Sequence, residues 1–313
     1  MVRNLLKDGK NTSKTSIMII KKNIERPDWT KVVKDKKIDL TKNVHYDRIL
    51  NEKIKEILFS SDFLINYAND YNVYNAICSY YKIPLKKTAI GFGATDLINR
   101  ILNSIKINCL YIVNPSFMMV DVYCKMIGLN FKFINLDEIN KLKNTSNSGI
   151  YFVNPNGVNG EVHDIKKYRD KFKWFIVDEV YSDFYDKYSL IGEVSEKTII
   201  IKSLSKSLGI AGLRIGFCNG PEDVISEIQK YRMSQVTTSI ASIVVPKIIE
   251  MTPEVVKRME ESKNFLENKF DCKQSFSNYV LFKNENDYTK KFGAKLINGY
   301  YRMALADMGT LNG

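Results

Sequence analysis

Short runs of β-branched and aromatic residues recur along the middle of the chain, separated by amphipathic stretches. The runs are TAIGF (88–92), CLYIV (109–113), FKFI (131–134), GIYFV (149–153), WFIVD (174–178), TIIIK (198–202) and RIGFC (214–218). Between several of them, apolar residues recur at helical spacing, in the segments 94–106, 116–128 and 163–172. This alternation predicts an α/β fold, with a mainly parallel sheet flanked by helices.

The pattern changes after Pro221, where helical periodicity becomes dominant. Helices are predicted over 221–231, 238–250 and 253–269, followed by the alternating run YVLFK (279–283), a helix over 287–297 and the apolar run YYRMALA (300–306). We interpret this region as a smaller α+β domain. The predicted divisions are a basic N-terminal arm (1–38), the N-terminal part of the small domain (39–60), a large domain (61–245) and the C-terminal small domain (246–313).

Composition excludes several classes of site. The five cysteines are scattered without a CxxC pair and only two histidines exist, so we expect no disulfide framework, no metal site and no Ser-His-Asp triad. No apolar run approaches the roughly 20 residues that span a bilayer, and the first residues lack an apolar signal segment. We therefore expect a cytoplasmic protein with no membrane partner.

The formal net charge is +12, and residues 1–60 alone contain 15 Lys or Arg against 8 Asp or Glu. No RNA-binding signature or zinc-finger spacing accompanies this excess, so we expect no nucleic-acid partner. The charge indicates a solvated basic face, or a positive field that attracts anionic metabolites.

The stretch SLSKSLGIAGLRIGF (203–217) has the strongest chemical signal in the chain. A lysine amine on a rigid turn can form a Schiff base with a carbonyl, while nearby hydroxyls and a guanidinium bind a phosphate. Ser203, Ser205, Lys206 and Arg214 provide these groups. Their spacing, SxSKxxGxxGxRxG, resembles that of fold-type I enzymes dependent on pyridoxal 5′-phosphate (PLP), within the branch of histidinol-phosphate aminotransferase and threonine-phosphate decarboxylase.

This resemblance covers roughly residues 40–310. It implies that the large domain binds PLP and that Lys206 carries the cofactor as a Schiff base. Asp178 ends the predicted strand WFIVD, where a buried carboxylate would keep the pyridine nitrogen protonated. Tyr181 resembles the tyrosine that donates to the cofactor's phenolic oxygen. We expect these three residues to be catalytic, and Ser203, Ser205 and Arg214 to bind PLP.

A glycine-rich turn in GFGATDLINRIL (91–102) leads from a strand into a helix. Free N–H groups at a helix N-terminus favour an anion, and the resemblance assigns Gly93, Ala94 and Thr95 to a cradle for the PLP phosphate. Thr95 by itself is equally typical of a helix cap. The resemblance also places Phe117 against the cofactor ring, whereas an isolated Phe after a strand is typical of a core.

The segment VNPNGVNGEV (153–162) departs from the family pattern NPNNPTG. In relatives, the Asn before the second Pro bonds the cofactor's phenolic oxygen, but alignment without gaps places Gly157 there. Either Asn156 or Asn159 reaches the cofactor, or the bond is missing and Tyr181 acts alone.

Two outer residues complete the resemblance. Tyr67 resembles the tyrosine that relatives lend across a dimer interface to the partner's PLP phosphate, so we expect a homodimer; the alternative is an ordinary surface or core tyrosine. Arg302 matches the C-terminal arginine that binds the substrate α-carboxylate, and its alternative is a solvated side chain. Many relatives carry another arginine shortly before that strand, but LINGYYR has none.

The resemblance implies a PLP-dependent aminotransferase with a small-molecule amino donor and acceptor. We expect the substrate to be a small amino acid or a phosphorylated amine. A PLP-dependent decarboxylase of an O-phospho amino acid is the alternative, because this branch contains both activities. A non-catalytic binding protein is a third hypothesis, since fold does not fix function, but the joint presence of Lys206, Asp178 and Arg214 argues against it.

Overall fold

The computed structural model describes residues 38–62, 66–193 and 195–313. The predicted basic arm, apart from Ile38, lies outside the described residues. Within them, the helices are α1 (Arg48–Phe59), α2 (Asp70–Tyr81), α3 (Ala94–Ser104), α4 (Met119–Ile127), α5 (Leu204–Ser207), α6 (Glu222–Lys230), α7 (Ser239–Ile248), α8 (Thr252–Lys269), α9 (Asp287–Phe292) and α10 (Met308–Asn312). None of these helices is both long enough and apolar enough to cross a membrane.

The seven apolar runs of the middle region form one sheet. Its strands are β1 (Thr88–Phe92), β2 (Cys109–Val113), β3 (Phe131–Ile134), β4 (Ser148–Val153), β5 (Trp174–Asp178), β6 (Thr198–Ser203) and β7 (Ile215–Asn219). Their spatial order is β1-β7-β6-β5-β4-β2-β3, and only β7 runs against its neighbours. The predicted α/β fold with a mainly parallel sheet is confirmed.

Both faces of the large sheet are covered, which explains why its strands are continuously apolar. Successive side chains of a strand point to opposite faces. In β5, Ile176 packs with α3 and α4 on one face. Its neighbours Phe175 and Val177 belong to a separate apolar cluster on the other face. The central strands are therefore almost fully buried, and the few polar groups within them, such as the Tyr151 hydroxyl and Lys202, need partners.

A smaller antiparallel sheet follows, formed by β8 (Cys272–Lys273), β9 (Tyr279–Phe282), β10 (Lys295–Ile297) and β11 (Tyr300–Ala304) in the order β10-β11-β9-β8. The segment 39–47 lies beside its last strand. Ala304 N donates to Leu40 O, and Tyr46 N donates to Leu305 O. Leu40 packs in the same cluster as β9 and β11, so the first described residues adjoin the C-terminal sheet.

Two predicted helices differ from the structure. The segment 163–172 contains only a short 3₁₀ turn, Lys166–Lys171. The helix predicted over 287–297 ends at Phe292, because Gly293 adopts a φ of 86°, and residues 295–297 form β10. In the first segment Ile165, Tyr168 and Phe172 are buried without a continuous helix, whereas in the second Phe292 is buried and Leu296 is 61% exposed on β10. The division into two domains remains a prediction.

Candidate active site

The residues singled out by sequence gather where several strands of the large sheet end. In the parallel part, Val153 pairs with Asp178 and Asp178 with Ile201. In the antiparallel part, Gly216 pairs with Gly91 on one side and with Ser203 on the other. These registers bring the loops after β1, β4, β5 and β6 to one edge, which is where open α/β sheets bind ligands.

Lys206 lies on α5, the short helix that follows β6. Ser203 caps this helix, since its Oγ accepts from Ser205 N at 3.2 Å and donates to Ile215 O at 3.0 Å. Lys206 Nζ donates to the backbone oxygen of Asn43 at 2.8 Å. Burial, assisted by Arg302 and Arg214 and opposed by Asp178, lowers the pKa of Lys206 to about 8. The amine is therefore partly neutral near physiological pH.

Asp178 is the last residue of β5 and is 3% exposed. Its carboxylate accepts from Tyr151 Oη at 2.7 Å and from Val180 N at 3.3 Å. Burial raises the pKa of Asp178 to about 6, and these hydrogen bonds and the charge of Lys206 oppose that rise. A carboxylate in this state is ionised at neutral pH and can pair with a cationic ring nitrogen.

Tyr181 is buried three residues further along the chain. Its hydroxyl oxygen accepts from Asn43 Nδ2 at 2.7 Å, and Lys206 Nζ lies 5.9 Å from the centre of its ring. Burial raises the pKa of the Tyr181 phenol well above its usual value, so the hydroxyl keeps its proton. It can act as a hydrogen-bond donor at any physiological pH.

A second group of residues surrounds the N-terminus of α3. Gly93 precedes this helix with a φ of 80° and provides no side-chain cap. A Cβ at Gly93 would lie 2.3 Å from a guanidinium nitrogen of Arg214, and one at Gly216 would lie 2.5 Å from Ala94 N. These glycines allow Arg214 and β7 to approach the first N–H groups of the helix. Ala94 and Thr95, both partly buried, form its first turn. The result is a concave, positively polarised turn suited to an anion.

Arg302 reaches the same edge from the smaller sheet. It lies on β11, donates to Gly157 O at 2.9 Å through Nη1, and stacks 5.5 Å from the ring centre of Tyr279. Its Nε is buried and has no partner in the described part of the chain. Arg302 therefore has an unused donor beside Lys206, on which its charge acts.

The remaining predicted residues are less closely joined to this group. Asn156 is buried, but its Nδ2 donates to Pro115 O at 2.6 Å and its Oδ1 accepts from Val158 N and Asn159 N. Phe117 is half-buried against the core cluster of α3 and α4. Tyr67 is 90% exposed. The cofactor contacts proposed for these three residues remain predictions.

Sequence reasoning misses several groups that the fold brings to the site. Asn43 reaches Lys206 and Tyr181, Tyr151 reaches Asp178, and Asn278 donates through Nδ2 to Asn43 O at 3.2 Å. Asn43 and Lys206 are separated by 163 positions, and no local motif marks such a contact. For Tyr151, a signal was available, because a hydroxyl inside a buried strand requires a partner.

The site combines a reactive amine, an ionised buried carboxylate, a neutral phenol and an anion-binding turn. Several buried polar atoms in it have no partner among the described residues, including Ser205 Oγ, Asn278 Oδ1 and Arg302 Nε. Buried polar atoms normally have partners, so these point to a polar ligand. No group of His, Cys, Asp and Glu in the described chain is arranged to hold a metal ion.

Comparison with known proteins agrees with this chemistry. Residues 74–272, well over half of the chain, match the family described as aminotransferase class I and II. Over 241 residues the chain is 28% identical to a histidinol-phosphate aminotransferase of Clostridium beijerinckii, covering 69% of this chain and 66% of that one. The matched part of the chain spans about half to two thirds of the length of such relatives.

Solved structures show the same fold at lower identity. The histidinol-phosphate aminotransferase of Clostridium acetobutylicum superposes with a TM-score of 0.69 at 20% identity, covering 88% of this chain and 96% of that chain. The L-threonine-O-3-phosphate decarboxylase of Porphyromonas gingivalis gives a TM-score of 0.68 at 16% identity, with the same coverage. At these identities the likeness concerns the fold alone.

Tyr151→Phe should raise the pKa of Asp178 above its value of about 6, because the hydrogen bond from Tyr151 favours the ionised carboxylate. It should also lower the free energy of unfolding at neutral pH by about 1.5–3 kcal/mol, the range for a hydrogen bond to a charged group. Carboxyl-carbon NMR of aspartate-labelled protein and urea unfolding measure the two effects. An unchanged Asp178 titration would contradict the assigned bond. The control is Tyr185→Phe, at a half-buried tyrosine that packs against the rings of Tyr188 and Phe276.

Proposed function

Because this chain belongs to the family of class I and II aminotransferases, we propose that it is a PLP-dependent aminotransferase acting on a small amino acid or a phosphorylated amine. The observation that carries the proposal is the placement of Lys206 Nζ, which donates to Asn43 O at 2.8 Å and lies 5.9 Å from the Tyr181 ring, at the sheet edge where the buried Asp178 ends β5. The names of the relatives, histidinol-phosphate aminotransferases, support a phosphorylated amine in particular.

The described site fits each reactive part of PLP. For the phosphate, the turn at Gly93 and the guanidinium of Arg214 form a cradle that a single added Cβ would fill, and Ser205 Oγ is buried without a partner in the described chain. For the pyridine nitrogen, Asp178 offers a buried carboxylate. For the aldehyde, Lys206 offers an amine with a pKa of about 8. Bound PLP supplies an electron sink for the substrate's α-carbon.

The side chains have distinct tasks in this proposal. Lys206 Nζ would bind the aldehyde and, as a free amine, would accept and return the α-proton of the substrate. Asp178 would pair with the protonated ring nitrogen, an attraction that its low-dielectric surroundings would strengthen. Tyr181 would donate a hydrogen bond to the phenolic oxygen. Arg302 would bind the substrate carboxylate and so orient the Cα–H bond towards Lys206, which would favour transamination over loss of CO₂.

We infer in addition that the active form is a homodimer. Phe59, Tyr67 and Met118 are 91%, 90% and 54% exposed, and aromatic and Met side chains are enriched in protein interfaces. Sedimentation of the purified protein should give twice the 36.1 kDa of one chain. A monomer that is fully active would contradict both the dimer and the shared role of Tyr67.

We also propose a cytoplasmic location. All five cysteines are free thiols, and two of them, Cys109 and Cys272, are only partly buried. Free thiols of this kind persist in a reducing compartment.

Incubation with PLP followed by borohydride should add the cofactor to the peptide that contains Lys206. The rate should rise with pH and level off with a midpoint near 8, because only the neutral amine attacks and burial holds the pKa of Lys206 at about 8. Mass spectrometry of the digested protein measures both the site and the rate. Lys206→Ala should abolish the labelling; a midpoint near 10.5, the ordinary value for lysine, or attachment elsewhere would refute the proposal.

The reaction is tested by supplying amino acids and O-phospho amino acids to the PLP-loaded enzyme and analysing the products. A keto acid without CO₂ supports the aminotransferase. Stoichiometric CO₂ from a phospho-amino acid, with the cofactor unchanged, would establish the decarboxylase instead. Bound PLP with no turnover of any amine would favour the non-catalytic protein.

With a productive donor, Arg302→Ala should lower kcat/KM by roughly 30- to 1000-fold, or about 2–4 kcal/mol, as for truncating one member of a buried charge pair. Arg302→Lys keeps the positive charge but lacks the planar guanidinium group. Its kcat/KM should therefore fall by a smaller factor than that of Arg302→Ala. Equal kinetics of Arg302→Ala and the wild type would show that another group binds the carboxylate.

A further inference from the structure

Asn43 makes two contacts that join the reactive groups of the site. Its side-chain Nδ2 donates to Tyr181 Oη at 2.7 Å. Its backbone oxygen accepts from Lys206 Nζ at 2.8 Å. The residue is 4% exposed, and its bond to Tyr181 is buried whereas its bond to Lys206 is partly buried. One residue from the start of the described chain therefore touches both the amine and the phenol.

The position of Asn43 is fixed from several sides. On its N-terminal side Ala304 N donates to Leu40 O, and on its C-terminal side Tyr46 N donates to Leu305 O. Asn278 Nδ2 donates to the same backbone oxygen that receives Lys206. Asn43 itself has a φ of 59°, a left-handed conformation that Asn and Gly adopt most readily. The contacts with Tyr181 and Lys206 thus arise from a rigid segment.

Tyr181 packs directly against Gly157, and it can do so only because residue 157 has no side chain. A Cβ at Gly157 would lie 2.6 Å from Tyr181 Cε2 and 2.9 Å from its hydroxyl oxygen, so the ring occupies the space that a side chain would need. The amide oxygens of Asn156 and Asn159 accept from backbone N–H groups of their own loop. Among the described residues, Asn43 is the one whose side chain hydrogen-bonds Tyr181 Oη.

We propose that Asn43 is a positioning residue that orients the hydroxyl of Tyr181. Donation from its amide occupies the acceptor side of that oxygen, which directs the hydroxyl proton away from Asn43 and towards the phenolic oxygen of bound PLP. Its carbonyl holds the amine of Lys206 on the same side. The inference rests on the proposed binding of PLP at Lys206.

If the Tyr181 hydroxyl loses its orientation, the pH dependence of the visible absorption of the bound cofactor should change. The lysine-linked cofactor shares one proton between its phenolic oxygen and the linking nitrogen, and a hydrogen bond donated to the oxygen competes with that proton. Without the donor, the proton is held more tightly, so the pH midpoint of the visible absorption band should rise. One hydrogen bond corresponds to a shift of about one pH unit.

The test compares this midpoint in the PLP-loaded wild type and its variants. Asn43→Gly keeps the left-handed backbone and the carbonyl but removes the amide. Asn43→Asp keeps the size and can only accept from Tyr181. Tyr181→Phe removes the oriented hydroxyl. Asn144→Gly is the matched control, because Asn144 is exposed and has almost the same φ, 58°.

We expect the midpoint to rise by about one pH unit in Asn43→Gly, by at least as much in Asn43→Asp, and not at all in Asn144→Gly. On a Tyr181→Phe background, Asn43→Gly should add nothing, because its effect passes through Tyr181. Borohydride trapping at Lys206 and the melting temperature confirm that each variant is folded and loaded.

Two results would overturn the inference while leaving the proposed function intact. They are an unchanged midpoint in both Asn43 variants, and a shift in the double variant equal to the sum of the single ones. If Asn43→Gly does not bind PLP, the pH midpoint of the isosteric variant Asn43→Asp decides whether the inference holds. A wild type that forms no absorption band with PLP would overturn the proposed function and this inference with it.

Discussion

The partial removal of the Lys206 amine from water is the constraint on which the rest of the site depends. A lysine removed from water loses its charged form unless acceptors replace the solvent. Here one backbone oxygen, that of Asn43, is directed at Nζ, while the nearby Arg302 disfavours the charged form. As a result, the Lys206 amine is present in both its charged and its neutral form near physiological pH. The loops around Lys206 Nζ must therefore provide polar partners for the amine while limiting its contact with bulk water.

A second buried lysine stiffens the framework behind the first. Lys202 is 2% exposed on β6, where it donates to Ser182 Oγ and to Asp183 at 3.0 Å. This connects the strand that leads to Lys206 with the turn that follows Tyr181. Breaking such a buried pair by removing one partner is strongly destabilising. The Lys202–Asp183 pair thus ties β6 to the turn that follows Tyr181.

The sequence predicts the large sheet well and the outer parts of the site poorly, for physical reasons. Strands such as β5 are buried on both faces, so their apolar runs have no competing interpretation, and Asp178 stands out at the strand end. The overlong helix predicted over 287–297 fails because Gly293 stops it and residues 295–297 join a sheet, which only tertiary pairing decides. The contacts of Asn43 could not be predicted, since its partners Tyr181 and Lys206 lie 138 and 163 positions away along the chain. Tyr67 stays a prediction, because its proposed contact lies on another subunit.

The segment that contains Asn43 is held by residues at the far end of the chain. Tyr46 N binds Leu305 O, and Arg48 N binds the Asp307 carboxylate across 259 positions of sequence. Contacts of such high sequence separation require a very long loop to be closed, at a cost in chain entropy. Residues 304–307 are also synthesised after every strand of the large sheet and after Lys206. The hydrogen bonds that hold the segment around Asn43 therefore cannot form until these residues have left the ribosome.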